Sequence, residues 1–305
     1  METVGRVRST ISVVPLVSEL PYEPWRERGS ILAGEFRWRL GVRPLDLANW
    51  IELGPDADGP DGWIAQKAAL LGQHASTVFG ALDGIEPASQ EVADAVVDHL
   101  RWRWPERFGR TTLDTDLHPL VAASRLVPED LVLMVERDGR LVFGGGSVCF
   151  PNRWDLASKL GRSMAEVHEP VALLNATLES EVDRFLGRLR PERSFWRLGW
   201  GIIDVPDGYT PADGTGGARP IDPDASELFV RVERETLRRF PGTGCVLFTI
   251  RTYIAPIAVM ERDPKSAATL AAAVSAMSAE VRRYKDLANL GDAVTAQLSA
   301  AVQDV

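Results

Sequence analysis

Cysteine is almost absent: the 305 residues include two, Cys149 and Cys245. An iron–sulfur cluster ordinarily takes four thiolates, and a structural zinc site takes several Cys and His together, so neither has its ligands here. A chain of this length buries enough apolar surface to fold without a disulfide, and a reduced, cytoplasmic setting is expected. Histidine is nearly as scarce, with only His74, His99, His118 and His168. There is no His-x-x-x-His pair, no Gly-rich phosphate loop and no Gly-x-Ser-x-Gly elbow, which leaves zinc enzymes and hydrolases with little to stand on. Positive charge is short as well. The formal net charge is −9, whereas a nucleic-acid partner wants a basic face, and the one basic run, Arg231 to Arg239, is interrupted by glutamates. Long apolar runs are missing too. Ala267 to Met277 is too short to span a bilayer, and Arg6 and Arg8 are followed by Pro15 and Glu19, which makes a poor signal peptide.

What remains is an ordinary globular composition, 45% hydrophobic and 25% charged. The first part, residues 1–120, reads as a mostly helical extension. Ile64 to Leu82 has helical periodicity, and Pro87 can open a second helix ending near Trp104-Pro105. Residues 121–262 form the expected core. Leu131 to Glu136 and Leu141 to Phe150 read as strands joined by the hairpin turn Asp138-Gly139. Asn152 to Gly161 follows, then Ser163 with Glu166 in capping-box spacing. Leu178, Val182, Phe185, Leu186 and Leu189 mark the apolar stripe of a longer helix. Three more strands, Phe195 to Ile203, Glu227 to Leu237 and Cys245 to Ile257, are interrupted by a loop from Pro206 to Pro223 rich in Pro, Gly and Asp. Residues 263–305 are helical, opening on Asp263-Pro264. Two strands, several helices and three strands is the order of a PAS-like α+β fold, a five-stranded antiparallel sheet with helices on one face that leaves a cavity for a flat cofactor.

A haem needs one proximal imidazole, so a chain poor in histidine can still bind it. His74 and His99 fall inside helices and read as structural. His118 precedes Pro119 at a helix start, where capping is the natural role. His168 lies between the hairpin and the last three strands, and its position leaves iron ligation and a structural role both open. In the strand after Phe229, period-2 alternation puts Arg231, Glu233 and Glu235 on one face and Val232, Arg234 and Thr236 on the other. That pattern suits either a solvated face with cross-strand ion pairs or a polar cofactor pocket.

Five stretches, in this order, resemble one family. They are Leu40 to Asp46 (LGVRPLD), Phe150 to Trp154 (FPNRW), Gly161 to Val171 (GRSMAEVHEPV), Phe229 to Pro241 (FVRVERETLRRFP) and Val246 to Tyr253 (VLFTIRTY), with Tyr284-Lys285 near the end. Together they are similar to the haem-dependent oxidative N-demethylases. The resemblance implies a PAS-like subunit holding haem b, oxidation of a small-molecule amine with O₂, and electrons from a separate flavin/iron–sulfur reductase. It implies His168 as proximal iron ligand and Glu233 as the counter-ion of the amine. Arg231 or Arg197 would act as donor to oxygen, and Arg234, Arg238 and Arg251 would be candidates for the propionates, with Trp200 lining the cofactor. The sequence departs from the family pattern at Glu235, where Gln is expected, at Gly199, where Asn is expected before Trp200, and at Ala172, where Pro is expected. These changes bear on the substrate more than on the haem. A haem oxygenase of another amine, a haem gas sensor and a haem-free scaffold are the alternatives.

Overall fold

The computed structural model describes residues 14–27, 31–32, 35–36, 40–167, 181–212, 221–222, 225, 227–288, 290, 294–295 and 298. Nine strands occur among them: β1 (Ile31–Leu32), β2 (Glu35–Phe36), β3 (Arg43–Pro44), β4 (Phe79–Ala81), β5 (Asp130–Arg137), β6 (Arg140–Ser147), β7 (Phe195–Ile203), β8 (Phe229–Arg239) and β9 (Val246–Pro256). β1 and β2 form a small ladder of their own. The other seven make one antiparallel sheet in the order β3-β7-β8-β9-β5-β6-β4. The five strands read from the sequence are all present and contiguous. The sheet is nonetheless seven-stranded rather than five-stranded, because the N-terminal segment contributes a short strand to each edge.

One of those edge strands replaces the end of an expected helix. Helical periodicity runs through Ile64 to Leu82, but α1 (Trp63–Gln73) and α2 (Ala75–Val78) end early, and Phe79–Ala81 pairs with Ser147, Gly146 and Gly145 of β6. Gly80 permits this close approach, since a Cβ there would lie 2.8 Å from side-chain atoms of both Leu156 and Leu160. The turn between β5 and β6 follows its sequence signal: Asp138 and Gly139 take φ of 51° and 75°, the left-handed pair that a two-residue hairpin turn needs.

Helix starts also follow local chemistry. α3 (Glu86–Arg103) carries Pro87 in its first turn. α4 (Pro105–Phe108) follows directly, and α5 (Pro119–Ser124) is capped by His118 Nδ1, which accepts from the Leu120 amide at 3.3 Å. α6 (Met164–Val167) begins on a capping box in which the Ser163 amide and hydroxyl both donate to Glu166, at 2.8 and 2.6 Å. Residues 181–188 are helical (α7). α8 (Pro264–Ser275) is capped by Asp263, and α9 (Ala279–Tyr284) by Ser278.

Helices cover both faces of the sheet, not one. On one face, Leu131, Leu133 and Leu247 pack with Val92, Val96 and Leu100 of α3 and Leu120 of α5, and Val230 and Val232 pack with Leu270 and Val274 of α8. On the other, Met134, Leu237 and Val246 meet Leu186 and Leu189 in and just after α7, while Val132 and Phe143 meet Leu156. The reason lies in the strands. Leu247 and Phe248 are consecutive apolar residues, so each sheet face carries apolar surface that one layer of helices cannot bury. No helix among the described residues is long and apolar enough to cross a membrane. His168 and Leu178 lie outside the described residues, as does much of the loop expected between Pro206 and Pro223.

Candidate functional site

The second face of the sheet carries the charged cluster. Alternation along β8 sends Arg231, Glu233, Glu235 and Leu237 to that face, and register adds Gly201, Gly199, Arg197 and Phe195 of β7 and Ile254, Thr252, Ile250 and Phe248 of β9. The acids are paired within the sheet. Arg231 Nε donates to Glu233 Oε1 at 2.8 Å, and Arg197 Nε lies 3.0 Å from Glu235 Oε2. Each carboxylate therefore engages an arginine through one oxygen. The other two oxygens converge on Gly199: a Cβ there would stand 2.9 Å from Glu235 Oε1 and 3.5 Å from Glu233 Oε2. Glycine at this position keeps a notch open in front of both acids.

Arg231 is the most deeply held member of the cluster, at 1% exposure. Its Nη2 donates to the Phe150 carbonyl at 2.6 Å and to Thr252 Oγ1 at 3.1 Å, whereas Nη1 is buried with no hydrogen-bond partner. The Phe150 carbonyl is itself positioned from below, because the amides of Cys149 and Phe150 both donate to the buried Asp130 at 2.9 Å. Burial raises the Asp130 carboxyl, and Lys67 Nζ, 3.7 Å away, pulls it back. Neither Asp130 nor Lys67 was identifiable as part of this support from sequence. The available signal was a lysine inside the apolar periodicity of Ile64 to Leu82.

Burial pushes Glu235 up to about 7, with Arg197 opposing and Glu233 adding to the rise. Lys285, in the turn after α9, donates from Nζ to the Trp200 carbonyl at 2.6 Å, and burial pushes it down to about 8 while Glu233 holds it up. Burial and the nearby Glu233 also raise the Tyr284 phenol. Tyr284-Lys285 belonged to the family resemblance, but its place beside these acids is a tertiary fact.

Next to the acids the same face turns apolar and is only partly covered. In β9, Leu247, Thr249 and Arg251 are fully buried on the opposite face, while Phe248 and Ile250 are only half-buried although their strand has neighbours on both sides. Phe248 packs at the margin of the Leu186–Leu189 and Val132–Leu156 clusters, and its remaining exposed surface, with that of Ile250, forms an apolar floor beside the acids.

The remaining sequence candidates do not share this face. Arg234 sits opposite, its Nε 3.1 Å from Glu52 and its plane 5.5 Å from the Trp196 ring. Arg251 binds Asp56 at 2.6 Å and lies over Tyr253. Arg238 stacks 4.5 Å over Trp50. Trp200 points away from Gly199 and Gly201 and meets Trp25 edge to face at 5.9 Å. The histidines that are described read as structural. His99 is buried among Trp50, Trp102 and Trp104, and burial with Arg238 and Arg103 nearby lowers it to about 4. His74 stacks on Tyr209. Cys149 and Cys245 are both free and buried, and no cluster of metal-ligating side chains occurs among the described residues.

This geometry, two acids and two arginines beside a partly exposed apolar floor, has a counterpart at the level of the whole sequence. Residues 41–295 match the family described as haem-dependent oxidative N-demethylase, alpha subunit-like. The match covers most of the chain and spans every element of the seven-stranded sheet, and the chain belongs to that family.

Proposed function

We propose that this protein binds haem b against the Phe248–Ile250 floor and oxidises an amine with O₂, drawing electrons from a separate flavin/iron–sulfur reductase. The observation that carries the reading is the adjacency, on one sheet face, of a partly exposed apolar floor and the Glu233–Arg231 and Glu235–Arg197 pairs. The residues present suit the group. Half-buried aromatic and aliphatic side chains accept a flat macrocycle, and Arg231 Nη1 is a buried donor with its hydrogen-bonding capacity unspent, a costly arrangement unless a ligand uses it. His168, from the family-like Gly161 to Val171 segment, would hold the haem iron. The five contiguous long strands favour the PAS-like description of the core. A reducing, cytoplasmic setting and a separate electron donor complete the proposal, since two cysteines are too few for an iron–sulfur cluster.

When bound, haem would supply O₂ activation and oxidation of the N-alkyl carbon, with formaldehyde released from a methylated amine. The protein's residues bind and orient. Glu233, already oriented by Arg231, accepts an N–H of the protonated amine through Oε2 in the notch above Gly199. Glu235 Oε1 faces the same notch and, titrating at about 7, holds or takes up a proton there near neutral pH. Arg231 Nη1 offers one N–H to negative charge that develops in the pocket, an electrostatic role that a fixed guanidinium performs without reorganising. Arg197 keeps Glu235 in place.

Haem titration into the purified chain is the direct test. A Soret band should appear, shift on adding a methylated amine, and change its ligation in His168→Ala. Glu233→Gln should keep the haem and weaken the amine-induced shift by about tenfold or more, given a cost of ~2 kcal/mol or more for removing one partner of a buried charged contact. With reductant and O₂, formaldehyde should accumulate. A protein that takes up no haem, or one whose Soret band responds identically with Glu233→Gln, overturns the assignment.

A further inference from the structure

We infer that the cavity at the Phe195 end of the site face is the seat of the carboxylate-bearing edge of the bound macrocycle, an inference that rests on the haem reading above. The cavity has a volume of about 570 Å³, within the range of small-molecule sites. Its lining is mixed, more polar than apolar: Phe185, Leu189 and Phe195 supply an apolar wall, and Arg188, Arg190, Arg193 and Glu192 supply a charged rim. The wall is continuous with the floor. Leu189 is packed in the same cluster as Met134, Leu237 and Val246, and Phe195 and Phe248 pack against that cluster. Phe185 and Phe195 meet edge to face at 5.1 Å. Register sets Phe195 and Phe248 on either side of Leu237 on this face, so the arginines stand at the Phe195 end of the floor.

The charge argument is one of elimination and matching. The buried arginines of the core are already paired: Arg153 with Asp204 at 2.6 Å, Arg231 with Glu233, Arg234 with Glu52 and Arg251 with Asp56. No ion pair or side-chain hydrogen bond engages Arg188, Arg190 or Arg193 among the described residues, and all three are exposed. Three arginines and one glutamate leave the rim at a formal +2 in a chain of −9. A ligand edge with two carboxylates neutralises that rim, and guanidinium is the side chain that pairs carboxylates bidentately. Arg234, Arg238 and Arg251, the propionate candidates from sequence, lie on the opposite face and leave this role open.

The test compares haem with haem dimethyl ester, the same macrocycle with both carboxylates capped, by Soret titration of the purified full chain in its haem-free form. The wild type should bind haem about tenfold more tightly than the ester, a preference of ~1.4 kcal/mol, and the preference should shrink as salt is raised. The triple variant Arg188→Gln, Arg190→Gln, Arg193→Gln should lose that preference and leave ester affinity unchanged. Glu192→Gln should strengthen haem binding about twofold. Because these side chains are exposed, an unchanged far-UV spectrum is expected for all variants. If the wild type binds both forms equally, or the triple variant still discriminates as the wild type does, the cavity does not read the carboxylates and the haem reading stands without it. If the wild type binds neither form, the haem reading falls and this inference falls with it.

Discussion

Glu52 offers the sharpest test of how the sheet is held to its N-terminal cover. One carboxylate collects three partners: Tyr22 Oη donates to Oε1 at 2.5 Å, Tyr253 Oη donates to Oε2 at 2.7 Å, and Arg234 Nε sits 3.1 Å from Oε1. Tyr22 belongs to the N-terminal segment, Tyr253 to β9 and Arg234 to β8, so a single side chain joins three parts of the chain. Glu52→Gln keeps the volume but has only one acceptor oxygen. Turned either way, its amide donor faces Tyr253 or faces Tyr22 and Arg234. Hydrogen bonds to a charged group contribute about 1.5–3 kcal/mol each, and a buried charge stripped of its partner costs about 3–5 kcal/mol. Arg234 retains the carbonyls of Asn49 and Trp50, so the loss belongs at the lower end, about 3 kcal/mol. Equilibrium urea unfolding should show this as a fall in midpoint with an unchanged slope. Asp58→Asn, which breaks an exposed pair with Arg107, should cost less than about 1 kcal/mol. A pH limb follows from the same geometry. Burial and Glu52 hold the Tyr22 and Tyr253 phenols above their ordinary range. Stability is therefore full below about pH 10, where unfolded tyrosines are still protonated, and falls as pH rises beyond it. Should Glu52→Gln unfold within 1 kcal/mol of the wild type, the three contacts do not carry this share of the fold.

Other substitutions probe separate parts of the molecule. Burial lowers His99 to about 4, so its contribution is present above about pH 6.5 and lost as pH falls toward 4; His99→Phe should reduce the acid sensitivity of the melting temperature over that interval. Glu129 has the opposite sign. Burial pushes it up to about 7, so stability drains as pH rises from about 4.5 through 7, and Glu129→Gln should gain on the wild type across that range in denaturant titrations. Gly144→Ala would place a methyl 2.6 Å from Val135 Cγ2 and should cost about 1–3 kcal/mol by overpacking, read as a lower urea midpoint. Gly199→Ala fills the notch in front of Glu233 and Glu235; it should leave the Soret band in place and abolish the amine-induced shift, and a retained shift would show that the amine does not enter there.

Local rules made much of this fold legible. The Asp138-Gly139 turn, the Ser163–Glu166 capping box, the Asp263-Pro264 start and the five long strands are all set by residues close in sequence, so reading them needs no knowledge of the rest of the chain. Alternation also placed Arg231 and Glu233 together and Arg234 opposite them, as the sheet has them, although both arginines were expected on one haem. What the sequence hid is tertiary. Phe79–Ala81 became a strand because β6 offered a glycine-lined edge more than sixty residues away, overriding a helical period. The support of Arg231 by Asp130 and Lys67, and the approach of Lys285 to the acids, depend on segments that meet only in the folded sheet. Helical cover on both faces follows from consecutive apolar residues in β9, a pattern that a one-sided sheet would not need.

The strand order has a consequence for how the molecule assembles. The β5–β6 and β8–β9 hairpins close over short turns, and β7 joins β8 across a longer loop. Yet the ladder that joins the two hairpins runs from Asp130–Ile250 to Met134–Val246, a junction that closes a loop longer than a hundred residues. Loop-closure entropy must be met before that ladder returns any favourable contact, and folding rate falls as such distant pairings dominate. Refolding should therefore be slow, with the hairpins forming ahead of the β5–β9 seam. The site face draws Val132 and Phe248 from opposite sides of the seam, so the apolar floor beside the acids does not exist until that last closure is made.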